Sequence, residues 1–456
     1  MTRTLDADYL VVGAGATGMA FTDALIDHSD ARVVLVDRRY GVGGHWLEAY
    51  PFVQLHQASA FYGVASTLLG GKIQESGPET GLQERATQSE ILAYYARMLG
   101  RMVATGRVEF LPNSDFDGAS TIVSRISGER LEVPESCRIV NAYYLAPGIP
   151  AEMPPPFGVD EGARVLPVND LARLEEAPSE FVVVGSGKTA TDACIWLLDR
   201  GVDPDAICWV RPREPWMFNR AVIQPDPAIF LGMAATVMQS ASVAPSLDDL
   251  FLTLEDAGIM LRIDRTVTPT MAKTPTLGTW ELEKLRTIEN VVRRGHISSV
   301  DAGRLTFASG SVGVARDALV VHCAGDGLKH PPLVPVWRPA DITLQPIRSG
   351  FPCFGAAVVG YVEATRSDDA EKNRICPPSQ YGDSMTQWAG MNLLGTRAAM
   401  SFSAEPDIKT WADGVALNPS RVPPGYPASA ALDDARERLG IHTRPALARL
   451  AELMDG

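Results

Sequence analysis

Two stretches of the chain repeat one pattern of apolar and polar positions. Tyr9 to Ile26 (YLVVGAGATGMAFTDALI) and Phe181 to Leu198 (FVVVGSGKTATDACIWLL) each start with a β-branched run, pass a glycine-rich turn and continue with apolar residues at helical spacing. Each is followed by another apolar run, ARVVLVDRR and AICWVRPR. The pattern predicts a βαβ unit, twice, and so an α/β chain. Between the copies, EILAYYARML reads as a helix, and Val108 to Leu111, STIVSRIS and CRIVNAYYLAPG read as strands. The run MPPPFG (Met153 to Gly158) reads as a stiff linker. After the second copy, Ala228 to Met238, SLDDLFLTLEDAGI and TWELEKLRTIENVVRRG read as helices, the last with Thr279 as its N-cap. That block, about residues 217–290, is expected to be a helical insertion of about 70 residues. Strands resume at RLTFAS and ALVVHCAG, and Ala430 to Met454 reads as two surface helices.

The turns carry the chemistry. Gly13, Gly15 and Gly18 form G-x-G-x-x-G between a strand and a helix. Such glycines allow the tight turn, let backbone approach a pyrophosphate and let helix and strand pack closely, with the phosphates on the helix N-terminus. Asp37 ends the next strand, placed to hold both ribose hydroxyls. The second turn, Gly185-Ser186-Gly187-Lys188-Thr189, has the letters of a nucleoside-triphosphate loop, but that loop needs a glycine where Val182 stands. Gly185, Gly187 and Ala190 therefore give a second dinucleotide turn, with Lys188 an ordinary turn residue or an aid to a phosphate. The strands that follow end differently, on Asp37 in one copy and on Arg211, with Arg213 beyond it, in the other. An acid repels a ribose 2′-phosphate and arginine binds one, so the first site suits FAD or NAD and the second suits NADP.

At 456 residues, with 46% hydrophobic and 21% charged residues, the chain reads as an ordinary globular protein of two or three domains. A formal charge of −14 argues against a general nucleic-acid or anionic-membrane binder. None of the six cysteines forms a C-x-x-C pair, and no cluster has metal-ligand spacing, so neither a dithiol site nor structural zinc is expected. The opening MTRTLDAD runs straight into a strand, and Ala228 to Met238 is too short to span a bilayer, which predicts a cytoplasmic protein.

Further motifs resemble the flavin-containing monooxygenases, in the class B flavoprotein monooxygenase superfamily. GVGGHW (Gly41 to Trp46) resembles their G-G-x-W element, Ala49 to Pro51 their Tyr-Pro step, and YYLAPG their Ala-Thr-Gly crossover strand. CFGAAVVGYVEA resembles the strand whose Gly-Tyr turn meets the flavin ribityl chain. The resemblance covers nearly the whole chain. It implies two Rossmann-like domains, the FAD domain discontinuous (1–158 and 330–456) around an NADP domain (159–329). Gly13, Gly15, Gly18, Asp37, Arg38, Gly44, Trp46, Val108, Gly148, Gly360 and Tyr361 would hold FAD, and Gly185, Ser186, Gly187, Lys188, Thr189, Arg211 and Arg213 would hold NADPH. It further implies oxygenation of a small organic substrate by O₂ through a C4a-(hydro)peroxyflavin, and a homodimer. The chain departs from the family in one motif: residues 157–174 hold no histidine where Phe-x-Gly-x-x-x-His is expected. An FAD-dependent NAD(P)H reductase without oxygen insertion is the alternative, and a non-catalytic cofactor-binding protein the third reading.

By the same resemblance, FVQLHQASAFYG (Phe52 to Gly63) runs over the flavin ring, with Gln54, His56 and Gln57 as candidate catalytic residues and Phe52, Phe61 and Tyr62 as the water-excluding wall. His56 has the residue type of a general acid/base; it and Gln57 could equally hold flavin carbonyls or backbone. Glu363, Arg366, Lys372, Asn373 and Arg374 are expected near the flavin or on a solvated surface. Asn219 and Arg220 could face the nicotinamide cleft, and His322 and His330 read as structural. Trp216, Met217, Phe218, Phe230, Met233 and Met238 read as core, or as the wall of an apolar substrate pocket.

Overall fold

A computed structural model describes residues 3–325 and 329–455. The first repeat folds as β1 (Tyr9–Val12), α1 (Ala16–Asp27) and β2 (Val33–Val36), followed by α2 (Gln88–Ala104), β3 (Val108–Leu111) and β4 (Arg138–Asn141). Next come β5 (Arg164–Pro167), β6 (Phe181–Val184), α3 (Lys188–Asp199) and β7 (Ile207–Val210). An inserted block holds β8 (Pro215–Asn219), α4 (Pro227–Val243), α5 (Leu247–Asp256), β9 (Met260–Arg262), β10 (Met271–Leu277) and α6 (Thr279–Leu285). Then β11 (Val291–Val292), β12 (Leu319–His322) and β13 (Asp341–Thr343) precede α7 (Pro352–Thr365), α8 (Asp369–Ile375), α9 (Met385–Ser403), α10 (Pro406–Gly414) and α11 (Ala430–Asp455).

Two five-stranded parallel sheets result, ordered β13-β4-β1-β2-β3 and β5-β12-β6-β7-β11. The continuous apolar runs VVLV, FVVV and ICWV are buried on both faces, as parallel strands covered by helices must be. The repeat is spatial as well as sequential. In each sheet the strand before the glycine turn is central, and its neighbour leads into the connection between the two halves. Those connections touch, since a Cβ on Gly325 would stand 2.9 Å from the Gly148 carbonyl oxygen. Thr87 and Glu90 start α2 with a reciprocal capping box, which fixes the predicted helix at its N-terminus.

Several expectations are corrected. The insertion is mixed rather than helical, since β9-β8-β10 form a sheet beside α4 and α5. The segment expected to be one helix from Thr279 ends at Leu285, and Val291–Val292 joins the edge of the second sheet instead. The N-cap is Gly278, with Thr279 the first helical residue. The tail is a single helix carrying Pro445, and it is not a surface helix pair: Leu432, Ala435, Ala446, Leu447 and Leu450 are buried, and α11 lies along α4. All six cysteines are reduced and buried. Among the described residues no helix is long and apolar enough to cross a membrane, and no side-chain cluster suits a metal ion.

CFGAAVVGYVEA is likewise not a strand but α7, with Gly360 and Tyr361 inside it. Gly360 lets α7 lie against α1, because a Cβ there would stand 2.5 Å from the Phe21 carbonyl oxygen, and Tyr361 stacks on Trp411 at 4.5 Å. Neither faces the glycine turn. Gly360→Ala is expected to destabilise the fold by about 2–3 kcal/mol through forced separation of α1 and α7. Gly232→Ala on α4, where a Cβ meets no atom within 4 Å, is the control and should be neutral or stabilising by about 0.5–1 kcal/mol. Urea unfolding of both variants checks the pair.

Candidate active site

The first glycine turn is shaped by backbone geometry. Gly13 sits at φ 107°, a conformation that favours glycine, and packs against Ala142 of the connection after β4. A Cβ on Gly18 would stand 2.0 Å from the Gly13 carbonyl oxygen, so α1 can begin this close only with glycine there. No side chain caps α1, which leaves its first N–H groups free for an anion. Gly15 faces Gly44, whose own Cβ would stand 2.9 Å from the Gly15 Cα. The two backbones approach each other closely and carry no side chains beside the N–H groups that open α1, which suits a pyrophosphate. Asp37 is buried and accepts from Ala14 N at 2.8 Å and Arg39 N at 2.9 Å. Beside it opens a cleft of about 730 Å³ lined by Arg38, Arg39, Tyr40, Asn113 and Gly148. Arg38 and Arg39 both pair with Glu152, at 2.9 and 2.7 Å.

The second turn repeats this geometry. Gly185 sits at φ 133° against Cys323 of the connection after β12, and α3 also starts without a side-chain cap. A Cβ on Gly187 meets no atom within 4 Å, so the space over the turn is open, while Ser186 is buried and Thr189 half-buried. Arg211 is only 2% exposed, lies over Trp209 at 4.7 Å and has Glu214 at 3.3 Å, yet its Nε and Nη1 have no hydrogen-bond partner among the described residues. Arg213 is far more exposed and pairs with Asp383 at 2.8 Å.

The segment from Tyr50 to Gly63 is strapped across the two halves. Tyr50 donates to Asp192 on α3 at 2.7 Å, and Phe52 stacks on Trp196 of α3 at 4.9 Å, so Phe52 belongs to this junction. The His56 carbonyl accepts from Arg220 Nε at 3.1 Å and from the Thr276 hydroxyl. Gln57 is buried, Phe61 packs on Phe351 at 5.0 Å, and Tyr62 accepts from Trp46 Nε1 at 2.6 Å. Gln54 is exposed, bridged through its backbone to Thr87, and does not join His56 and Gln57.

Residues 11–59 match the family model described as an NAD(P)-binding Rossmann-like domain. The chain is 39% identical over 421 residues to the uncharacterized protein Rv2000 of Mycobacterium tuberculosis, a match covering 91% of this chain and 78% of the relative, and equally to Mb2023 of Mycobacterium bovis. The chain belongs to the family of these mycobacterial proteins. Its fold is that of the class B flavoprotein monooxygenases. ε-Caprolactone-bound cyclohexanone monooxygenase aligns with a TM-score of 0.52 at 15% identity, covering 88% of this chain and 98% of that one. Cyclohexanone monooxygenase from Rhodococcus sp. Phi1, bound to NADP⁺, aligns at 0.50 and 14% identity, covering 96% and 98%.

In this family member an ion cluster that the sequence did not reveal holds the strap. Arg220 has no exposed surface; it pairs with Glu79 and, at 2.6 Å, with Glu281. Glu79 also takes Arg85 at 3.0 Å and Trp280 Nε1 at 3.0 Å. Glu281 lies 3.5 Å from Lys188, which pairs in turn with Asp192. Lys188 is thus committed to carboxylates. The cluster balances Arg85, Arg220 and Lys188 against Glu79, Glu281 and Asp192. Burial would raise the Glu281 carboxyl, but Lys188, Arg220 and Arg85 hold it down at about 2. Burial, followed by the same three cations, pushes His56 down to about 3, leaving a neutral imidazole with an unpartnered Nδ1. At neutral pH His56 therefore offers hydrogen bonding rather than a proton.

Other candidates lie elsewhere. Val108 is buried beside Val33 at the start of its strand, at the sheet edge opposite the glycine turn. Glu363 accepts from Tyr9 at 2.7 Å, Trp337 at 2.7 Å, Lys372 at 2.6 Å and Arg138 at 3.2 Å, and Tyr9 and Arg138 open β1 and β4. This group thus ties the first sheet at the end of its strands away from the glycine turn, with Asn373 bonded to Trp337 and Arg366 and Arg374 paired to Asp407 and Glu405. Asn219 donates to the Gly258 carbonyl at 2.8 Å. His322 is buried, and His330 Nδ1 lies 3.0 Å from the Tyr381 carbonyl. Trp216, Met217, Phe230 and Met238 are buried core, with Phe218 and Met233 packed against it. Asn113, at φ 48°, was missed; its left-handed backbone beside a Pro is the one local signal for it.

Arg220→Met leaves Glu79 and Glu281 short of a cation and should cost about 3–5 kcal/mol in urea unfolding, much of it recovered when both glutamates become glutamine. The His56 contribution to stability is whole above its ordinary 6.5 and is lost as pH falls from there through about 3, because the unfolded chain takes the proton first. His45, pushed to about 4 by burial and Arg39, acts in the same direction. Thermal melting between about pH 7 and pH 4.5 should therefore fall less steeply for His56→Gln than for the parent.

Proposed function

We propose that the chain is an FAD- and NADPH-dependent flavoprotein monooxygenase that oxygenates a small organic substrate, with residues 1–158 and 330–456 holding FAD and residues 159–329 holding NADPH. The observation that supports it most is the pair of uncapped helix starts behind glycine turns, with the Tyr50–Gly63 strap between them. The buried thiols, free of disulfides, support a reducing, cytoplasmic setting.

When bound, the two nucleotides supply hydride transfer and oxygen chemistry, which belong to the cofactors. The chain supplies placement. The N–H groups opening α1, with Gly15 and Gly44, would bind the FAD pyrophosphate, and the unused lone pairs of Asp37 would take its ribose hydroxyls. Gly187 and the start of α3 would bind the second pyrophosphate through backbone alone, since Lys188 is engaged by Asp192 and Glu281. Arg213, and Arg211 with its uncommitted donors, would serve the 2′-phosphate. His56 and Gln57 would orient reactants by hydrogen bonds, with Phe61 and Tyr62 excluding water around them. The absence of the Phe-x-Gly-x-x-x-His motif favours an NAD(P)H reductase as the second reading.

Stopped-flow absorbance separates the two. Protein reduced anaerobically by NADPH and mixed with O₂ should pass through a long-lived transient before the oxidised flavin spectrum returns. Direct return with release of hydrogen peroxide, with substrate candidates present, supports the reductase; no reduction by either nicotinamide nucleotide sinks both. A Cβ at Gly187 meets no atom within 4 Å, so for Gly187→Val melting temperature and flavin content should hold while KM for NADPH rises at least about tenfold. An unchanged KM would remove NADPH from that turn.

A further inference from the structure

Arg348 lies between β13 and α7, half-buried, on the segment that follows the last strand of the first sheet. Its Nη2 donates to Ser420 Oγ at 3.0 Å, the one hydrogen bond of its side chain among the described residues. Its guanidinium stands 5.9 Å from the Phe230 ring centre and 5.8 Å from that of Phe351. Phe61 completes the cluster, 6.1 Å from Phe230 and 5.0 Å from Phe351. All three rings are buried, and they come from the strap, the insertion and the final part of the chain. Arg421, next to Ser420, likewise pairs with no carboxylate among the described residues, and burial alone lowers it.

This contrasts with Arg220 and Arg138. Acids outnumber bases, 55 to 41, and buried Arg220 and half-buried Arg138 each hold two carboxylates. Arg348 has none, and burial pushes it down to about 10. A desolvated cation without a counter-ion is costly, whereas a guanidinium fork offers paired donors to a carboxylate or phosphate. Aromatic faces beside it keep it oriented and supply an apolar wall.

We propose that Arg348, with Ser420 at its head and Phe61, Phe230 and Phe351 as its wall, is an anion-binding subsite for an acidic group carried on a planar apolar body. The flavoprotein reading enters only in naming the two sources of that anion, an organic-acid substrate or an anionic group of the flavin nucleotide.

The test uses the full chain as purified, with phenylacetate and its neutral counterpart phenylacetamide as probes in titration calorimetry. Phenylacetate should bind about tenfold or more tightly than the amide; Arg348→Met should abolish that difference and Arg348→Lys keep part of it. Without ligand, Arg348→Met should melt at the parent temperature or above, since an unpaired cation leaves an apolar site. Equal binding of acid and amide, together with an FAD dissociation constant raised about tenfold or more in Arg348→Met, assigns the subsite to the nucleotide anion. Equal binding, or none, with FAD affinity unchanged overturns the proposal, as does a lower melting temperature without either binding effect, which makes Arg348 a tie to Ser420. A parent chain that retains no FAD would fail the flavoprotein reading, while the comparison of acid with amide would still decide the subsite.

Discussion

The pairing of Arg220 with Glu79 and Glu281 is the constraint on which the middle of the molecule depends. Arg220 and Glu281 come from the two ends of the inserted block, after β8 and on α6, and Glu79 from the long connection before α2, so one guanidinium closes the block on itself and on that connection. An ion cluster in such a place adds little net stability over a well-packed apolar core of the same volume. It gives position instead. Arg220 spends its third donor on the His56 carbonyl, so the backbone of the strap is fixed by the same charge that fixes the insertion. Glu281 carries the link to Lys188 and hence to the start of α3, which joins the second glycine turn to the same network of charge.

The two parallel sheets explain why this cluster is needed. Each uses the strand beside its glycine strand as the exit to the other half, and those exits meet at Gly148 and Gly325. Two adjacent backbone crossings alone would leave the halves free to swing. Tyr50 and Phe52 on α3, and Arg220 under the strap, are side-chain ties placed away from the crossings, and together with them they define a plane rather than a line of attachment.

How much of this could be read from sequence follows from how local each feature is. Gly13, Gly18, Asp37, Gly185 and Gly187 were legible because a strand–turn–helix unit imposes its own spacing over a few dozen residues. The body of α2 was legible from the apolar spacing of EILAYYARML, while the Thr87–Glu90 capping box that starts it was not read. CFGAAVVGYVEA misled because an apolar run rich in glycine and β-branched residues suits a strand or a buried helix equally, and contact with α1 decided for the helix. Val291–Val292 was absorbed into a helical pattern because two residues on a sheet edge carry no period of their own. The ion cluster had no sequence signature at all: Arg220 stands 141 residues from Glu79 and 61 from Glu281. His56 was expected over the flavin from the resemblance, but its ionisation was not legible, since that depends on cations brought to it by the fold.

The six thiols are buried, and burial raises the pKa of every one, Cys137 and Cys353 to about 11. Thiolate is the form that attacks alkylating reagents, so the native protein offers them almost no nucleophile. A cysteine placed by mutation on either side of the Gly148–Gly325 crossing would then be the sole reactive thiol. The natural sequence is therefore already the unreactive background that fluorescent or spin labelling usually requires to be engineered, and relative movement of the two halves can be followed without removing a single native cysteine.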